Sequence, residues 1–327
     1  MSKKVLVLGI NGRLGQEIAK AFVVAGYSVS GMGRENRAKL KGVRFTQGNA
    51  DQVSELQAAI KGHEIVVNAL NLPYDQWEKG RAEAMMARVI EAMGDSGRLL
   101  MFPGNVYNFS ARQWVLTPST SFEPEAQKGR IRVRMEQQLQ EAASAGKIQL
   151  VILRSGDFYG PYASQSFMQV VIATRRKDKV LQIPHELDLP HSWAYLPDLA
   201  KAYVALAARA DEFSASETFH FCGHFITGHE LVSHIQSALR EPWKAGKLPW
   251  GMLKVVGWFN PLMREVVKMR YLFQVPQQLK DQRLDEILGA EFGTPASEAI
   301  GATVRSYLPV EDCSDKSASA RSGLRNP

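Results

Sequence analysis

Cysteine is scarce: the chain has 327 residues and two cysteines, Cys222 and Cys313. One conceivable pair is no disulfide framework, which excludes the small stapled scaffolds of secreted domains. Long apolar runs are missing as well. The start MSKKVLVLGI is basic and then apolar, but its apolar run, Val5 to Ile10, leads straight into a glycine motif and reads as a buried strand rather than a secretion signal. Nothing approaches the roughly eighteen consecutive apolar residues of a membrane-crossing helix. No segment repeats. His185 and His191 flank E-L-D-L-P, a spacing that fits no metal site. With 45 % hydrophobic and 22 % charged residues, the chain is neither disordered nor fibrous. A cytoplasmic, reduced globular protein without a metal is the expectation.

Basic residues outnumber acidic ones by 40 to 33. The surplus sits at the front, where residues 1–60 hold nine Lys/Arg against four Asp/Glu and later segments are nearly balanced. A local excess of this kind suits an anionic partner. No long basic stripe or nucleic-acid motif accompanies it, so a small anionic molecule is favoured over a nucleic acid.

Short apolar runs rich in β-branched residues alternate with helical patterns through the first 150 residues. The runs are Lys4–Gly9, Tyr27–Met32, Arg44–Gln47, Glu64–Ala69, Arg98–Phe102 and Gln149–Leu153. The helices are Leu14–Ala25, Gln52–Ile60, Gln76–Ala92 and Arg130–Ala145, the first with Leu14, Ile18, Ala21, Phe22 and Ala25 on one face. This alternation predicts an α/β fold, a doubly wound parallel sheet. Beyond residue 155 prolines break the chain into shorter pieces, with helices expected at Ser166–Arg176, Pro197–Arg209, Gly228–Leu239, Leu253–Met269 and Ala296–Ser306. The division that follows is a dinucleotide-binding domain over 1–155, to which some later segments return, a smaller α+β substrate region over 156–309, and a polar, disordered tail over 310–327.

The first strand runs into G-I-N-G-R-L-G and then a helix. Gly9, Gly12 and Gly15 supply a tight turn, a close backbone approach and a close helix–strand contact, and the helix N-terminus offers free N–H groups to a pyrophosphate. Gly9, Asn11, Gly12, Arg13, Leu14 and Gly15 are therefore the candidate dinucleotide cradle. The second strand ends at Gly31-Met32-Gly33-Arg34, where an NAD site usually carries an acid for the ribose hydroxyl. Arg34, with Arg13 in the loop, predicts instead that two guanidinium groups flank a 2′-phosphate, favouring NADP(H) while leaving NAD(H) open. The alternative is a pair of solvated surface arginines.

Seven segments in order resemble the extended and atypical short-chain dehydrogenases/reductases, the NAD(P)-dependent sugar epimerases and dehydratases with a Rossmann sheet. They are GINGRLG at 9–15, GNADQVSEL at 48–56, VVNAL at 66–70, NVY at 105–107, LRSGDFYGP at 153–161, HSWAYLPDLAKA at 191–202 and the ending at 275–300. The resemblance implies that Asn49 borders the adenine, and that the backbone near Asn68 and Ala69 lines the cofactor.

That family works with a Ser/Thr and a Y-x-x-x-K pair on one helical face, the Lys lowering the Tyr pKa for proton transfer. Anchoring on Met135-Glu136-Gln137 puts Lys128 at the Tyr position, Arg132 at the Lys position and Pro103 or Gly104 at the Ser position. Arg132 is then expected to hold the nicotinamide ribose. Lys128 stands as a replacement proton donor if three nearby arginines depress its pKa. Tyr107, the nearest phenol, could supply the acid from another element. Asp157 and His191 fall on loops at the sheet's carboxyl edge, where ligands bind, with Asn105 nearby; Tyr159 reads as packing. The catalytic candidates are thus Tyr107, Lys128, Arg132 and Asp157.

The stretch Trp250–Phe273 is unusually apolar, aromatic and basic. Core packing, a lid or substrate-facing helix pair broken at Pro261, a membrane-surface element or a dimer face are its readings. The leading functional expectation is an NADP(H)-dependent hydride transfer on a small carbonyl or hydroxyl substrate. A non-catalytic cofactor-sensing protein on the same fold is the alternative.

Overall fold

All six apolar runs expected as strands do form strands, and they pair in parallel. The computed structural model describes residues 3–163, 166–173, 175–239 and 241–307; the expected tail, 310–327, with Cys313, lies outside them. In chain order the strands are β1 (Lys4–Leu8), β2 (Ser28–Gly33), β3 (Val43–Gln47), β4 (Ile65–Asn68), β5 (Leu99–Gly104), β6 (Val115–Leu116), β7 (Gln149–Ser155), β8 (Asp157–Tyr159), β9 (Val180–Ile183), β10 (Pro190–Tyr195), β11 (Ser216–Phe221), β12 (His224–Thr227), β13 (Lys244–Lys247) and β14 (Gln278–Leu279). The helices are α1 (Arg13–Val24), α2 (Val53–Ile60), α3 (Arg81–Met93), α4 (Gln127–Ser144), α5 (Phe167–Ala173), α6 (Leu196–Ala208), α7 (Gly228–Leu239), α8 (Trp250–Phe259), α9 (Pro261–Lys268), α10 (Gln282–Leu288) and α11 (Ala296–Tyr307).

Seven strands make one parallel sheet in the order β3-β2-β1-β4-β5-β7-β11. Val5, Leu6, Val7 and Leu8 are all fully buried because helices cover both faces. Alternate residues go opposite ways. Val5 and Val7 join Ile18 and Phe22 of α1 and Leu199 and Leu206 of α6. Leu6 and Leu8 join Leu56 of α2, Met86 and Val89 of α3 and Leu139 of α4.

Three expectations are corrected. The helix expected from Gln76 starts at Arg81, because Tyr74–Gln76 forms a 3-10 turn and Gly80 takes a left-handed φ of 75° before the helix. The helix expected over Leu253–Met269 is two, α8 and α9, split at Asn260-Pro261 since proline cannot continue the amide ladder. The seventh strand, β11, had no apolar signature: Ser216, Glu217 and Thr218 interrupt the run, and its inward position His220 is polar.

Beyond residue 155 the chain splits its loyalties. β11 pairs with β7, while α6 and Leu284 of α10 pack into the main core. The remainder has its own core, including Tyr159, Met168, Trp193, Ile235, Ile300 and Val304. It is built around the small sheet β12-β10-β8 and the parallel pair β13-β9. β14 pairs with β6 and straps the 105–125 loop. Among the described residues, no helix is long and apolar enough to cross a membrane.

One buried polar network ties these layers. Arg154 of β7 donates from Nη1 to Glu136 Oε1 at 3.1 Å and from Nη2 to Oε2 at 2.7 Å, with Glu136 on α4. Arg154 also donates to the Asn105 carbonyl at 2.6 Å and to His220 Nε2 at 3.3 Å. His220 Nδ1 then lies 2.9 Å from the Leu116 carbonyl, to which it donates as the other nitrogen accepts.

Burial and Arg154 push His220 down to about 3, and burial with His191 pushes His185 down to about 4. An unfolded histidine takes its proton near pH 6.5, whereas these folded ones refuse it until about 3 to 4, so the unfolded state binds more protons as pH falls. Stability therefore drops from about pH 6.5 downward, each histidine adding a slope of up to about 1.4 kcal/mol per pH unit. Urea denaturation from pH 7 to pH 4 should show this, and the His220→Gln variant, which cannot titrate, should show a shallower slope.

Candidate active site

The carboxyl ends of β1, β4 and β2 build a cradle. Gly9 has φ +79°, and a Cβ there would lie 2.6 Å from the Ala69 carbonyl oxygen. A Cβ on Gly15 would lie 2.5 Å from the Gly9 oxygen, so only glycine lets α1 press onto the loop. Gly12 caps α1 with no side-chain hydrogen bond, and the first turn holds no acid. The first-turn amides keep their donors and the positive end of the helix is unopposed. Glycines without room for a Cβ, beside an uncapped helix N-terminus, fit a dinucleotide pyrophosphate.

Side chains around this cradle divide into structural and available groups. Leu14 is buried in the main core, so only its backbone faces outward tasks. Asn11 spends its amide on protein: Nδ2 donates to the Glu35 carbonyl at 2.8 Å, and Oδ1 accepts from the Arg37 and Ala38 amides at 3.1 Å. Asn68 is fully buried and accepts from the Leu70 amide at 3.3 Å. Asn49 Oδ1 accepts from the Asp51 amide at 3.1 Å, shaping its own turn, while Nδ2 makes no hydrogen bond among the described residues.

The two arginines are not brought together. Arg34 is exposed at the end of β2, without an ion pair or hydrogen bond among the described residues. The neighbouring Glu35 pairs with Arg37 at 3.0 Å instead. Arg13 is half-buried and electrostatically close to Tyr307, Tyr74, Asp157 and Tyr107, which lie across β1 from Arg34 along the sheet edge; burial lowers its pKa. Arg13, at the first position of α1, thus lies on the β4, β5 and β7 side of the glycine loop, whereas Arg34 lies at the end of β2.

On the Arg13 side, Lys128 and Arg132 are both engaged with groups of the protein. Lys128 is 2 % exposed, ion-paired with Glu265 of α9 at 2.9 Å, hydrogen-bonded to the Tyr74 carbonyl, and 5.4 Å from the ring centres of both Tyr74 and Trp77. The three arginines expected to depress it do not surround it. Arg130 hydrogen-bonds Gln127 at the surface, Arg134 pairs with Glu83, and Arg132 donates to the Pro103 carbonyl while lying 4.5 Å from the Phe102 ring centre. Lys128 thus fastens α4 to α9, and Arg132 holds the end of β5.

What gathers there is phenolic and acidic. The Tyr107 and Tyr74 hydroxyls are hydrogen-bonded to each other. Tyr107 sits in a turn whose Asn105 side chain accepts its amide at 3.0 Å. Helix α4 approaches so closely that a Cβ on Gly129 would lie 2.0 Å from the Tyr107 carbonyl oxygen. Burial, then Tyr74 and Asp157, raise the Tyr107 phenol well above its ordinary pKa, and burial raises Tyr74. Asp157 and His191, each a lone loop residue in sequence, are joined: His191 Nε2 lies 2.7 Å from Asp157 Oδ2. Both residues were expected on loops but lie in strands, Asp157 at the start of β8 and His191 in β10, and the parallel pairing of the two strands, with Trp193 opposite Asp157, brings them together. His191 is sandwiched between His185 and Phe273, with ring centres 5.6 and 4.7 Å away. Beyond His185 opens a cavity of about 430 Å³ walled by Leu189, Leu248, Trp250 and Phe273 with Arg270 at its edge. Tyr159 is fully buried, its hydroxyl 2.6 Å from His224 Nδ1, as a packing residue should be.

Sequence reasoning missed Tyr74, Trp77, Gly129 and Glu265. Glu265 alone carried a signal, as the single acid in a long basic and apolar stretch.

A family model described as NAD dependent epimerase/dehydratase matches residues 5–222. The chain belongs to the NAD-dependent epimerase/dehydratase family. Among similar solved structures are a UDP-glucuronic acid 4-epimerase from Bacillus cereus in complex with UDP-glucuronic acid and NAD (TM-score 0.74, 13 % identity, 93 % of this chain and 98 % of that one). Others are MoeE5 in complex with UDP-glucose and NAD (0.72, 16 %, 93 % and 98 %) and a dTDP-glucose 4,6-dehydratase from Bacillus anthracis in complex with NAD (0.72, 13 %, 94 % and 96 %). At these identities the likeness is one of fold. No curated protein sequence matches significantly.

If Lys128 is a fastener, Lys128→Met should destabilise the protein by about 2 kcal/mol by leaving the buried Glu265 carboxylate short of a partner. Adding Glu265→Gln should restore much of it. Equilibrium denaturation of the single and double variants measures both, and strictly additive losses would refute the pairing.

Proposed function

We propose that this family member is an NADP(H)-dependent enzyme transferring hydride to or from a small carbonyl or hydroxyl substrate. The observation that carries the reading is the phenol pair Tyr107–Tyr74, set beside the Asp157–His191 pair next to the end of β5. A cofactor-binding protein without turnover has no need of a coupled proton donor there.

The fit to a dinucleotide rests on the missing Cβ atoms of Gly9 and Gly15 and on the uncapped α1. Bound nicotinamide would supply or accept the hydride. Arg34, exposed and unengaged, suits a 2′-phosphate through charge-assisted contacts. Tyr107, held protonated by burial, donates a proton to the substrate oxygen, and its hydrogen bond to Tyr74 offers a path for replacement. Burial keeps this phenol in its neutral, proton-carrying form. Asp157, oriented by His191, can receive a substrate hydroxyl. The cavity beside His185 is lined by Lys247 and Arg270 and by one acid, Glu186, which Lys247 pairs at 2.7 Å, so it suits a substrate carrying an anionic group. The sugar nucleotides bound in the MoeE5 and Bacillus cereus structures are compatible with that chemistry by analogy of fold.

The engagement of Lys128 and Arg132 in protein contacts favours the alternative of a cofactor sensor. Two experiments separate the readings. NADPH should raise the melting temperature more than NADH, and Arg34→Asp should abolish that preference; an unchanged preference would sink the assignment of Arg34. Absorbance at the reduced nicotinamide band across aldehydes, ketones and nucleotide sugars should reveal turnover. Tyr107→Phe should lower it by about 100-fold or more while leaving the NADPH-induced thermal shift intact. Stabilisation by NADPH with no turnover of any substrate would instead support the sensor.

A further inference from the structure

Helices α8 and α9 form a hairpin whose outward surface contradicts ordinary burial. Asn260 turns the chain and caps α9, its Oδ1 accepting from the Met263 amide at 3.0 Å. A Cβ on Gly257 would already lie 3.1 Å from Arg264 Cα, so the two helices press together. The inner side is anchored: Trp250 and Phe273 pack with Leu253, Val266 and Val267, and Glu265 pairs with Lys128.

The outer side is apolar. Met252, Val255, Val256 and Phe259 follow the i, i+3, i+4, i+7 spacing of one helical face, and that face points to solvent. Trp258 and Phe259, beside the turn, are 70 % and 86 % exposed, with Leu262 following at 46 %. Two aromatic rings bared at the tip of an ordered hairpin are unusual on a water-facing surface.

Along the hairpin's own sequence the charge is nearly all of one sign. Residues 242–280 contain seven Lys/Arg and one acid, Glu265. Glu265 is buried and taken up by Lys128 and by Lys268 at 2.6 Å. Lys254 and Arg264 are exposed and make no ion pair among the described residues. A second copy of the chain related by a two-fold axis would set this cationic patch against itself. An anionic lipid surface complements it: the aromatic tip enters the headgroup–acyl boundary while the cations meet lipid phosphates.

We propose that the α8–α9 hairpin docks the protein on an anionic membrane surface, with Trp258, Phe259 and Leu262 inserted and Lys254 and Arg264 on the headgroups.

Flotation of the full chain with phosphatidylcholine vesicles, and with vesicles of equal phosphatidylcholine and phosphatidylglycerol, tests this. Binding is expected to the anionic vesicles only, weakening as salt rises. The Trp258→Ser/Phe259→Ser double variant should lose at least about tenfold in vesicle affinity. Lys254→Glu/Arg264→Glu should do the same through charge. Both variants change exposed positions, so melting temperature should be unchanged and certifies folding. Absence of binding to anionic vesicles, equal binding to neutral ones, or binding insensitive to both variants would overturn the proposal. So would a concentration-dependent dimer in size-exclusion chromatography that the aromatic variant dissolves, since the face would then be an interface between copies.

Discussion

The pairing of Glu136 with Arg154, both 1 % exposed at their side chains, is the contact on which the site's geometry depends. A buried ion pair gives back in attraction much of what its desolvation costs, so its value lies in fixing one arrangement rather than in net stability. Here it fixes three elements at once. The guanidinium joins α4 to β7, reaches the Asn105 carbonyl beyond β5, and meets His220 on β11. Asn105 in turn shapes the turn that carries Tyr107, and Gly129 of α4 lies against the same turn.

Charge is redistributed around that scaffold in a way that inverts the family expectation. Beside the phenols, the two cations of α4 are taken up by protein groups, Lys128 by Glu265 of α9 and the Tyr74 carbonyl, Arg132 by the Pro103 carbonyl at the end of β5. The groups left in the cleft are two phenols, a carboxylate and Arg13 from the glycine loop. Burial raises the pKa of both phenols and keeps them neutral. The Lys128–Glu265 contact also ties the hairpin to α4 beside the phenols.

How much was legible depended on whether neighbours in space were neighbours in sequence. The strands of the sheet's first half were legible because burial on both faces demands uninterrupted apolar runs, as in Val5–Leu8. The glycine cradle was legible because its demands are steric and local. β11 was not, because His220 is buried by a hydrogen bond to Arg154 sixty-six residues away, and no local pattern encodes that. Tyr74 was not, because a tyrosine in a loop carries no periodicity; only the fold brings it to Tyr107.

The sequence by itself determined the parallel α/β sheet, the dinucleotide cradle at Gly9, Gly12 and Gly15 and the position of Arg34. Those features follow from backbone sterics and from hydrophobic periodicity within a few residues. Tertiary structure decided which way Arg13, Lys128 and Arg132 point, that Asp157 and His191 form a pair, and that the α8 apolar face looks outward. Each of these is settled by what distant segments bring, or fail to bring, against it, which no local pattern encodes.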